Sequence, residues 1–318
     1  MDDQHIYRGA CDDESITPPI FLQPWWLDAA CGPNAWDVSL AVKADGVHAA
    51  LPYFQRRARG LRLLTQPALT PYLGPWILET GAERNAEYSR QNELMSALID
   101  GLPRRLNYVQ KWSPTITNWL PFYWRGFEQT TRYTYMLDDL SDEERLWRGL
   151  TGSTRREIRK AESRHQMTAS ADATLDELLS LNVMTFARQG LDQPYSTEYV
   201  ERLDAACQKH DCRRIIIARD SQGRPHAGVY VVWDRDSAYY LMGAGDPDLR
   251  SSGAASLCMW EAIRSASTVS KSFNFEGSMI EPIERFFRGF GARQTPYFQV
   301  SRFSSKAIRT AAVLSGRM

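Results

Sequence analysis

The stretch from Ala238 to Ala292 contains the order of elements on which the fold prediction depends. It begins Ala238-Tyr-Tyr-Leu-Met-Gly-Ala-Gly-Asp246 and runs through Pro-Asp-Leu-Arg-Ser-Ser-Gly253-Ala-Ala255 into an apolar-periodic segment that ends at Ala266. Phe273-Asn-Phe275 then predicts a short strand, and Glu276-Gly-Ser278 and Phe286-Phe-Arg-Gly-Phe-Gly291 follow it. A strand, a glycine-containing turn, a helix, a strand and a second turn is the order needed to hold an activated acyl donor.

The bulk composition indicates a globular protein of two domains. With 318 residues the chain is longer than most single hydrophobic cores support. The contents of 43% hydrophobic and 24% charged residues are ordinary, and the net charge of zero argues against a strongly basic surface built for DNA. The polar N-terminus predicts no signal peptide, and no run approaches the ~18 to 20 apolar residues of a membrane span.

Cysteine and histidine usage indicates a reduced compartment and no metal. The five cysteines have neither framework spacing nor a Cys-x-x-Cys pair, which favours reduced thiols and a cytoplasmic location. The five histidines are scattered, and no two have ligand spacing on one helix face. We therefore expect no metal cofactor.

The order of elements predicts a domain boundary near residue 130, giving domains 1–130 and 131–318. A β-branched and aromatic strand, Thr130–Leu137, crosses between them. In the second domain, Thr154-Arg-Arg-Glu157 has the pattern of a capping box that opens a helix. The other elements that we predict there are helices at 141–150, 175–189, 197–209 and 255–266 and strands at 213–218, 226–233, 238–243, 273–275 and 294–302.

Two basic stretches are candidate phosphate contacts. Arg56–Arg62 reads as a basic turn, for which a solvated loop is the alternative. In the helix opened at Thr154, Arg156 and Lys160 share one face with Arg159 and Arg164. That face contacts the phosphates of a nucleotide, lipid or RNA end, or it is simply a solvated surface.

The loop before the 255–266 helix is a candidate cofactor site. Glycine lets the backbone approach a ligand closely, and the N–H groups that open a helix favour an anion. Arg250 adds a charge-assisted donor beside Ser252, Gly253 and Ala255. The arrangement suits the pyrophosphate of coenzyme A, although glycines before helices are common.

The loop follows a predicted three-stranded meander and precedes a helix and a further strand. In this order of elements the chain resembles the GNAT acyltransferase superfamily. The similarity is to the branch of Fem-type peptidoglycan aminoacyltransferases and their double-domain relatives. The motifs that carry it in the second half are Leu150-Thr-Gly-Ser-Thr-Arg155-Arg156-Glu-Ile158-Arg159-Lys160-Ala161, Tyr239-Tyr240-Leu-Met-Gly243, Phe273-Asn-Phe275-Glu276-Gly277-Ser278 and Phe286-Phe287-Arg288-Gly289-Phe290-Gly291-Ala292. Those in the first half are Phe21-Leu-Gln-Pro24-Trp25-Trp26, Leu51-Pro52-Tyr53 and Thr70-Pro71-Tyr72-Leu73-Gly74-Pro75.

The resemblance implies a mixed α+β fold of two tandem GNAT-like domains, each a mostly antiparallel mixed sheet flanked by helices. The first domain would face the acceptor and the second the acyl donor. The implied reaction is acyl or aminoacyl transfer from a coenzyme A thioester or an aminoacyl-tRNA to an amine, with a cell-envelope or peptidoglycan precursor as one acceptor. Many relatives have a lysine in the last turn where this chain has Phe287, so Arg288 takes over the cationic role or the donor differs.

Each remaining site candidate has a structural alternative. Glu276 is the candidate base, or else a surface or capping glutamate. Tyr240 donates a proton to the leaving group or packs in the core, and Ser278 bonds a substrate or caps a helix with Glu281 ahead of Pro282. Tyr72 and Trp119 line an acceptor cleft or anchor their loops.

A second class of function is a non-catalytic GNAT-like scaffold. Such a protein would bind an envelope precursor, a lipid or a protein without transferring an acyl group, and the Phe287 departure motivates it. A DNA-binding module has no support from charge or motif.

Overall fold

The computed structural model describes residues 2–58, 61–81, 83–103, 107–188, 190–277, 279–306 and 308–310. The chain divides into two compact units. Residues 1–132 and 296–318 form the first, and Tyr133–Thr295 form the second. The division lies close to the predicted boundary near residue 130. The prediction assigned residues 296–318 to the second domain, whereas the structure groups them with the first unit.

The first unit consists of helices packed on a mixed sheet. Its helices are α1 (Asp3–Asp12), α2 (Pro24–Cys31), α3 (Arg84–Asp100) and α4 (Leu120–Trp124). Its strands are β1 (Trp36–Lys43), β2 (Gly46–Ala58), β3 (Leu61–Thr65), β4 (Trp76–Ile77), β5 (Asn107–Lys111), the start of β6 (Glu128–Leu137) and the end of β12 (Arg293–Arg302). The sheet runs β1-β2-β3-β5-β12, with β4 beside β2, and the β3–β5 pair is parallel.

The second unit repeats this plan with more helices. Its helices are α5 (Glu143–Gly149), α6 (Gly152–Arg159), α7 (Leu175–Arg188), α8 (Thr197–Lys209), α9 (Ala254–Ala266) and α10 (Glu281–Arg288). Its other strands are β7 (Thr168–Ser170), β8 (Arg213–Arg219), β9 (Pro225–Trp233), β10 (Ser237–Gly245) and β11 (Ser272–Asn274). The sheet runs β6-β11-β10-β9-β8-β7, and the β10–β11 pair is parallel.

The core of the second unit forms because α9 and the sheet bury their apolar faces against each other. The buried residues of α9 include Cys258, Met259 and Ile263, and the helix packs on β8 and β9. These residues belong to the 3.6-residue periodicity that predicted the helix, whereas Ala255 at its start is exposed. Such a packed base holds the ends of β10 and β11 in fixed positions.

Several predicted boundaries are wrong. Helix α6 begins at Gly152 rather than at Thr154, because Thr151 is the N-cap and its side chain accepts from the Thr154 N–H. The predicted basic turn belongs largely to strands, since Arg56 pairs with Leu63 and Arg57 with Arg62 across β2 and β3. Arg59 within it lies outside the described residues.

Candidate active site

Strands β10 and β11 separate just after they meet. They pair in parallel over three residues, the last of them Tyr239 opposite Asn274. Beyond this point β10 continues to Gly245 beside β9 alone, and a bulge between Tyr240 and Met242 shifts its register. From Tyr240 onward, no described strand flanks β10 on the side where β11 ended; we call this side the open edge of β10.

The turn that follows β11 places Glu276 in a strained and well-supported position. Glu276 is partly buried and has a φ of 56°, in the left-handed region that non-glycine residues seldom adopt. Its N–H donates to Asn274 Oδ1 at 3.0 Å, and the Gly277 N–H donates to Thr134 Oγ1 at 2.8 Å. Thr134 in turn donates to Asn274 Oδ1 at 2.6 Å. Two buried polar side chains therefore fix the backbone of this turn.

Gly277 is required by close packing. A Cβ at this position would lie 2.0 Å from the carbonyl oxygen of Tyr133. The turn is thus pressed against the backbone of β6, which leaves the preceding Glu276 little conformational freedom.

The loop at Gly253 is also fixed by close packing, and it lies against α6. Residues Arg250–Ser252 form a 3-10 turn, and Gly253 has a φ of 85°. A Cβ on Gly253 would lie 2.2 Å from the carbonyl oxygen of Glu157. The structure therefore brings the predicted anion loop next to the helix that carries the basic row, a proximity that neither motif indicates alone.

The four residues of the predicted anion loop have different environments. Arg250 and Ala255 are exposed, whereas Gly253 and Ser252 are buried. Ser252 Oγ accepts from the Ala254 N–H at 3.4 Å, which makes it a support for the helix start rather than an accessible ligand.

Tyr240 lies in an apolar environment beside Phe287. The two rings meet edge to face at 5.6 Å, and Phe275 packs on Phe287 at 5.4 Å. The Tyr240 hydroxyl lies over Gly243, where an added Cβ would overlap it. Burial, with smaller contributions from Tyr195 and Cys258, raises the pKa of Tyr240, so the hydroxyl stays protonated at neutral pH.

Tyr239 precedes Tyr240 on β10 and lies opposite Asn274 of β11, two residues before Glu276. Burial raises the pKa of Tyr239, with smaller contributions from charged groups that include Asp234 and Glu276. Side chains of consecutive strand residues point to opposite faces, so Tyr239 and Tyr240 do not share a face of the sheet.

Phe287 and Arg288 do not place a cation beside Tyr240. Phe287 is 2% exposed and belongs to the core. Arg288 Nε donates to Glu284 at 2.9 Å, and the Arg288 side chain is 61% exposed. Glu284 also accepts from the Tyr135 hydroxyl. The catalytic role of Arg288 stays a prediction, which the substitution Arg288→Ala would test.

Helix α6 continues into a π-helical turn, Lys160–Arg164, and the basic row on these two segments lines an open groove of about 570 Å³. Arg156, Lys160 and Arg164 contribute to it, together with Arg159 and two serines. Lys160 Nζ pairs with Glu157 at 2.5 Å, and Arg159 lies over the Trp147 ring at 5.7 Å. Arg156 and Arg164 are exposed. The groove therefore has the charge and the access that phosphate groups need.

The candidates in the first unit are held by packing. Tyr72 is buried and meets Tyr297 edge to face at 5.2 Å. Trp119 is half-buried between Tyr123 and Phe298. Ser278 lies outside the described residues. Helix α10 begins at Glu281 with Ile280 as its N-cap, and Pro282 lies in its first turn.

One polar cluster was missed by the sequence analysis. Asn182 on α7 is 2% exposed, and its Oδ1 accepts from Gln193 Nε2 at 2.9 Å and from the Tyr195 hydroxyl at 3.3 Å. Its Nδ2 donates to the Gly243 carbonyl at 3.4 Å. The available signal was an asparagine beside Leu178 and Leu181 on the apolar face of α7.

The described residues offer no site of three His, Cys, Asp or Glu side chains that could hold a metal ion. No helix among them combines the length and the apolar character that a membrane crossing requires.

Comparison with known proteins identifies the class of the second unit. Residues 150–270 match the family model described as an acetyltransferase (GNAT) domain. This segment includes the meander β8–β10, the Gly253 loop and α9. Residues 150–270 are therefore similar to a GNAT acetyltransferase domain, and this segment includes the open edge of β10.

Solved structures show that the likeness extends over both units. The crystal structure of FemX covers 88% of this chain and 91% of its own, at 9% identity and a TM-score of 0.65. The C-terminal domain of a putative lysylphosphatidylglycerol synthetase from Agrobacterium fabrum covers 99% and 97%, at 13% identity and a TM-score of 0.58. L-PGS from Bacillus licheniformis covers 89% and 88%, at 10% identity and a TM-score of 0.51.

These identities establish the fold and not the substrate. The predicted mixed α+β fold and the resemblance to Fem-like GNAT proteins are confirmed. A comparison with curated protein sequences gives no match.

Proposed function

We propose that the protein is an N-acyltransferase that moves an acyl group from a coenzyme A thioester to an amine. The observation that carries the proposal is the separation of β10 from β11. It leaves an open strand edge from Tyr240 onward, inside a segment that matches the GNAT domain model.

The donor end of the site binds phosphate and the acyl carbonyl. The first N–H groups of α9 and the exposed Arg250 are donors for a pyrophosphate. The groove with Arg156 and Lys160 adjoins this loop through Glu157 and offers positive charge to a further phosphate. Backbone N–H groups at the bulge are donors for the carbonyl oxygen as it becomes negative.

Proton transfer is divided between two groups. The amine nitrogen attacks the carbonyl carbon and loses a proton to the Glu276 carboxylate, directly or through one water. The carbon–sulfur bond then breaks, and the Tyr240 hydroxyl donates a proton to the leaving thiolate. The products are an amide and the free thiol of coenzyme A.

Coenzyme A is favoured over aminoacyl-tRNA as the donor. GNAT domains typically use acyl-coenzyme A, and the net charge of zero offers no broad surface for RNA. Phe287 also packs its apolar ring beside Tyr240, where the ammonium group of an aminoacyl donor would find no charged partner in that side chain.

The proposed reaction requires an amine as the acceptor. Both FemX and the C-terminal domain of a putative lysylphosphatidylglycerol synthetase have the fold of this chain, which supports a search among cell-envelope compounds. We therefore place amines of cell-envelope precursors first among acceptors to be tested, with Tyr72 and Trp119 as candidate contacts in the first unit. Ser278 remains a candidate contact from sequence alone.

A thiol-release assay tests the proposal. The protein is incubated with a panel of acyl-coenzyme A donors and amines, and free coenzyme A is measured. Glu276→Gln should lower transfer about tenfold or more, the scale of general base catalysis. Glu281→Gln is the matched control, because Glu281 is an exposed carboxylate that pairs with Arg285. Equal activity of both variants and the parent would refute the role of Glu276.

Arg250→Ala should weaken donor binding, with Arg285→Ala as the control among exposed arginines. The competing function is the non-catalytic scaffold, which the buried Phe287 favours. Tight binding of an envelope precursor, with no coenzyme A released from any donor, would establish it.

A further inference from the structure

Two polar side chains on α7 bind the backbone of β10 beyond its bulge. Thr185 Oγ1 accepts from the Gly245 N–H at 3.0 Å and lies 3.1 Å from the Gly245 carbonyl oxygen. Asn182 Nδ2 donates to the Gly243 carbonyl oxygen at 3.4 Å. The two side chains are three positions apart and so share one face of the helix.

The two glycines face the open edge of β10. The Asp246 N–H donates to His226 of β9, and consecutive strand residues direct their backbone groups to opposite edges. Gly243 and Gly245 therefore point away from β9, toward the side where β11 has ended. The α7 side chains stand where a neighbouring strand would supply hydrogen bonds.

Asn182 is held from its other end as well. Its Oδ1 accepts from Gln193 and Tyr195, and the residue is 2% exposed. A buried amide with partners on both its oxygen and its nitrogen cannot rotate without losing several hydrogen bonds. The 193–195 loop, α7 and β10 are thus joined through one side chain.

We propose that Thr185 and Asn182 are positioning residues that hold the open edge of β10 in the conformation that receives the acyl donor. The inference rests on the proposed function, since it assigns β10 to the donor. An edge ordered before binding costs less conformational entropy when the ligand arrives. The α7 side chains therefore favour donor binding without touching the reacting atoms.

Hydrogen exchange of the Gly245 amide tests this without any ligand. In Thr185→Val the exchange should be faster by about tenfold, the factor that corresponds to one ordinary hydrogen bond. Thr185→Ser keeps the hydroxyl and should exchange as the parent does. Ser180→Ala is the control on the same helix, because Ser180 is exposed and bonds only within α7.

Coenzyme A binding, measured by calorimetry, tests the link to the donor. Thr185→Val should weaken it about fivefold or more, and Asn182→Leu should weaken it similarly, with Thr185→Ser unchanged. A melting temperature close to that of the parent shows that each variant is folded. Asn182→Leu is the second variant, in case one of the two changes prevents folding.

The outcomes separate the inference from the proposed function. Unchanged Gly245 exchange in Thr185→Val overturns the inference, and so does faster exchange with unchanged coenzyme A affinity. If the parent binds no coenzyme A or acyl-coenzyme A, the proposed donor is wrong. In that case the role of Thr185 and Asn182 in donor binding is refuted as well. The exchange rate of the Gly245 amide still decides whether the α7 side chains hold the open edge of β10.

Discussion

Replacing Gly253 with alanine tests whether the candidate anion loop is held against α6. The φ of 85° places an alanine in the left-handed region, which costs ~1–2 kcal/mol. The new Cβ would also lie 2.2 Å from the Glu157 carbonyl oxygen, so backbone must move, and overpacking of this kind costs a further ~1–3 kcal/mol. The expected loss of unfolding free energy is therefore ~2–5 kcal/mol.

The control is Gly223→Ala in the turn between β8 and β9. Gly223 has a φ of 76°, and an added Cβ there meets nothing within 4 Å. It should cost only the backbone term of ~1–2 kcal/mol. Urea unfolding followed by circular dichroism gives both values, provided that the dependence on urea has the same slope in both variants.

The comparison separates strain from contact. If Gly253→Ala lowers the unfolding free energy no more than Gly223→Ala does, the loop is not packed against Glu157. The anion loop and the basic row would then not lie side by side. If the excess appears, Gly253→Ala should also weaken coenzyme A binding more than Gly223→Ala does.

Three further predictions concern the Glu276 turn, Arg288 and the acid limit of stability. Thr134→Val removes the hydrogen bonds of the Thr134 hydroxyl with the Gly277 N–H and with Asn274 Oδ1, so transfer should fall with Glu276 still present; unchanged transfer would show that the turn does not need this support. Arg288→Ala should lower transfer less than about threefold, because surface ion pairs such as that with Glu284 contribute little; a tenfold loss, absent in Glu284→Gln, would instead establish the cationic role. Burial alone would raise the pKa of Asp220, but hydrogen bonds from Arg224 and others lower it. The ionised Asp220 stabilises the fold above the pKa that it has in the unfolded chain, about 4, and this contribution is lost as the pH falls through the lower pKa of the folded state. In Asp220→Asn the melting temperature should therefore fall less steeply as the pH is lowered below about 4.

Local patterns were sufficient to predict the scaffold of the second unit. The central residues of β8 and β9 are buried in continuous runs, and their apolar runs, bounded by turn residues, predicted the strands. The apolar residues of α9 recur at helical spacing and predicted the helix in the same way. The glycine before α9 was expected to bring the backbone close to a ligand. The structure shows that its positive φ and its contact with Glu157 already require glycine.

The parts that were not predicted depend on distant residues. Thr151 caps α6, whereas Thr154 is buried within the helix. The Thr154 hydroxyl packs so closely on Gly289 that a Cβ added there would lie 2.6 Å from it. Thr134 supports the Glu276 turn by accepting from the Gly277 N–H, across 143 positions of the chain. No local periodicity records such pairings.

The path of the chain through β6 and β12 has a consequence for biosynthesis. The first unit is discontinuous, and β12 completes its sheet beside β5, where Ser304 bonds to Asn107 across 197 positions. A ribosome therefore exposes residues 1–132 and then the whole second unit before the closing strand of the first is available. We expect the second unit to fold first and the earlier segment to wait without a complete core, since distant pairing is slow. Ribosome-bound chains arrested before β12 should be cut by protease mainly within residues 1–132, and equal resistance of that segment would show that it folds without β12.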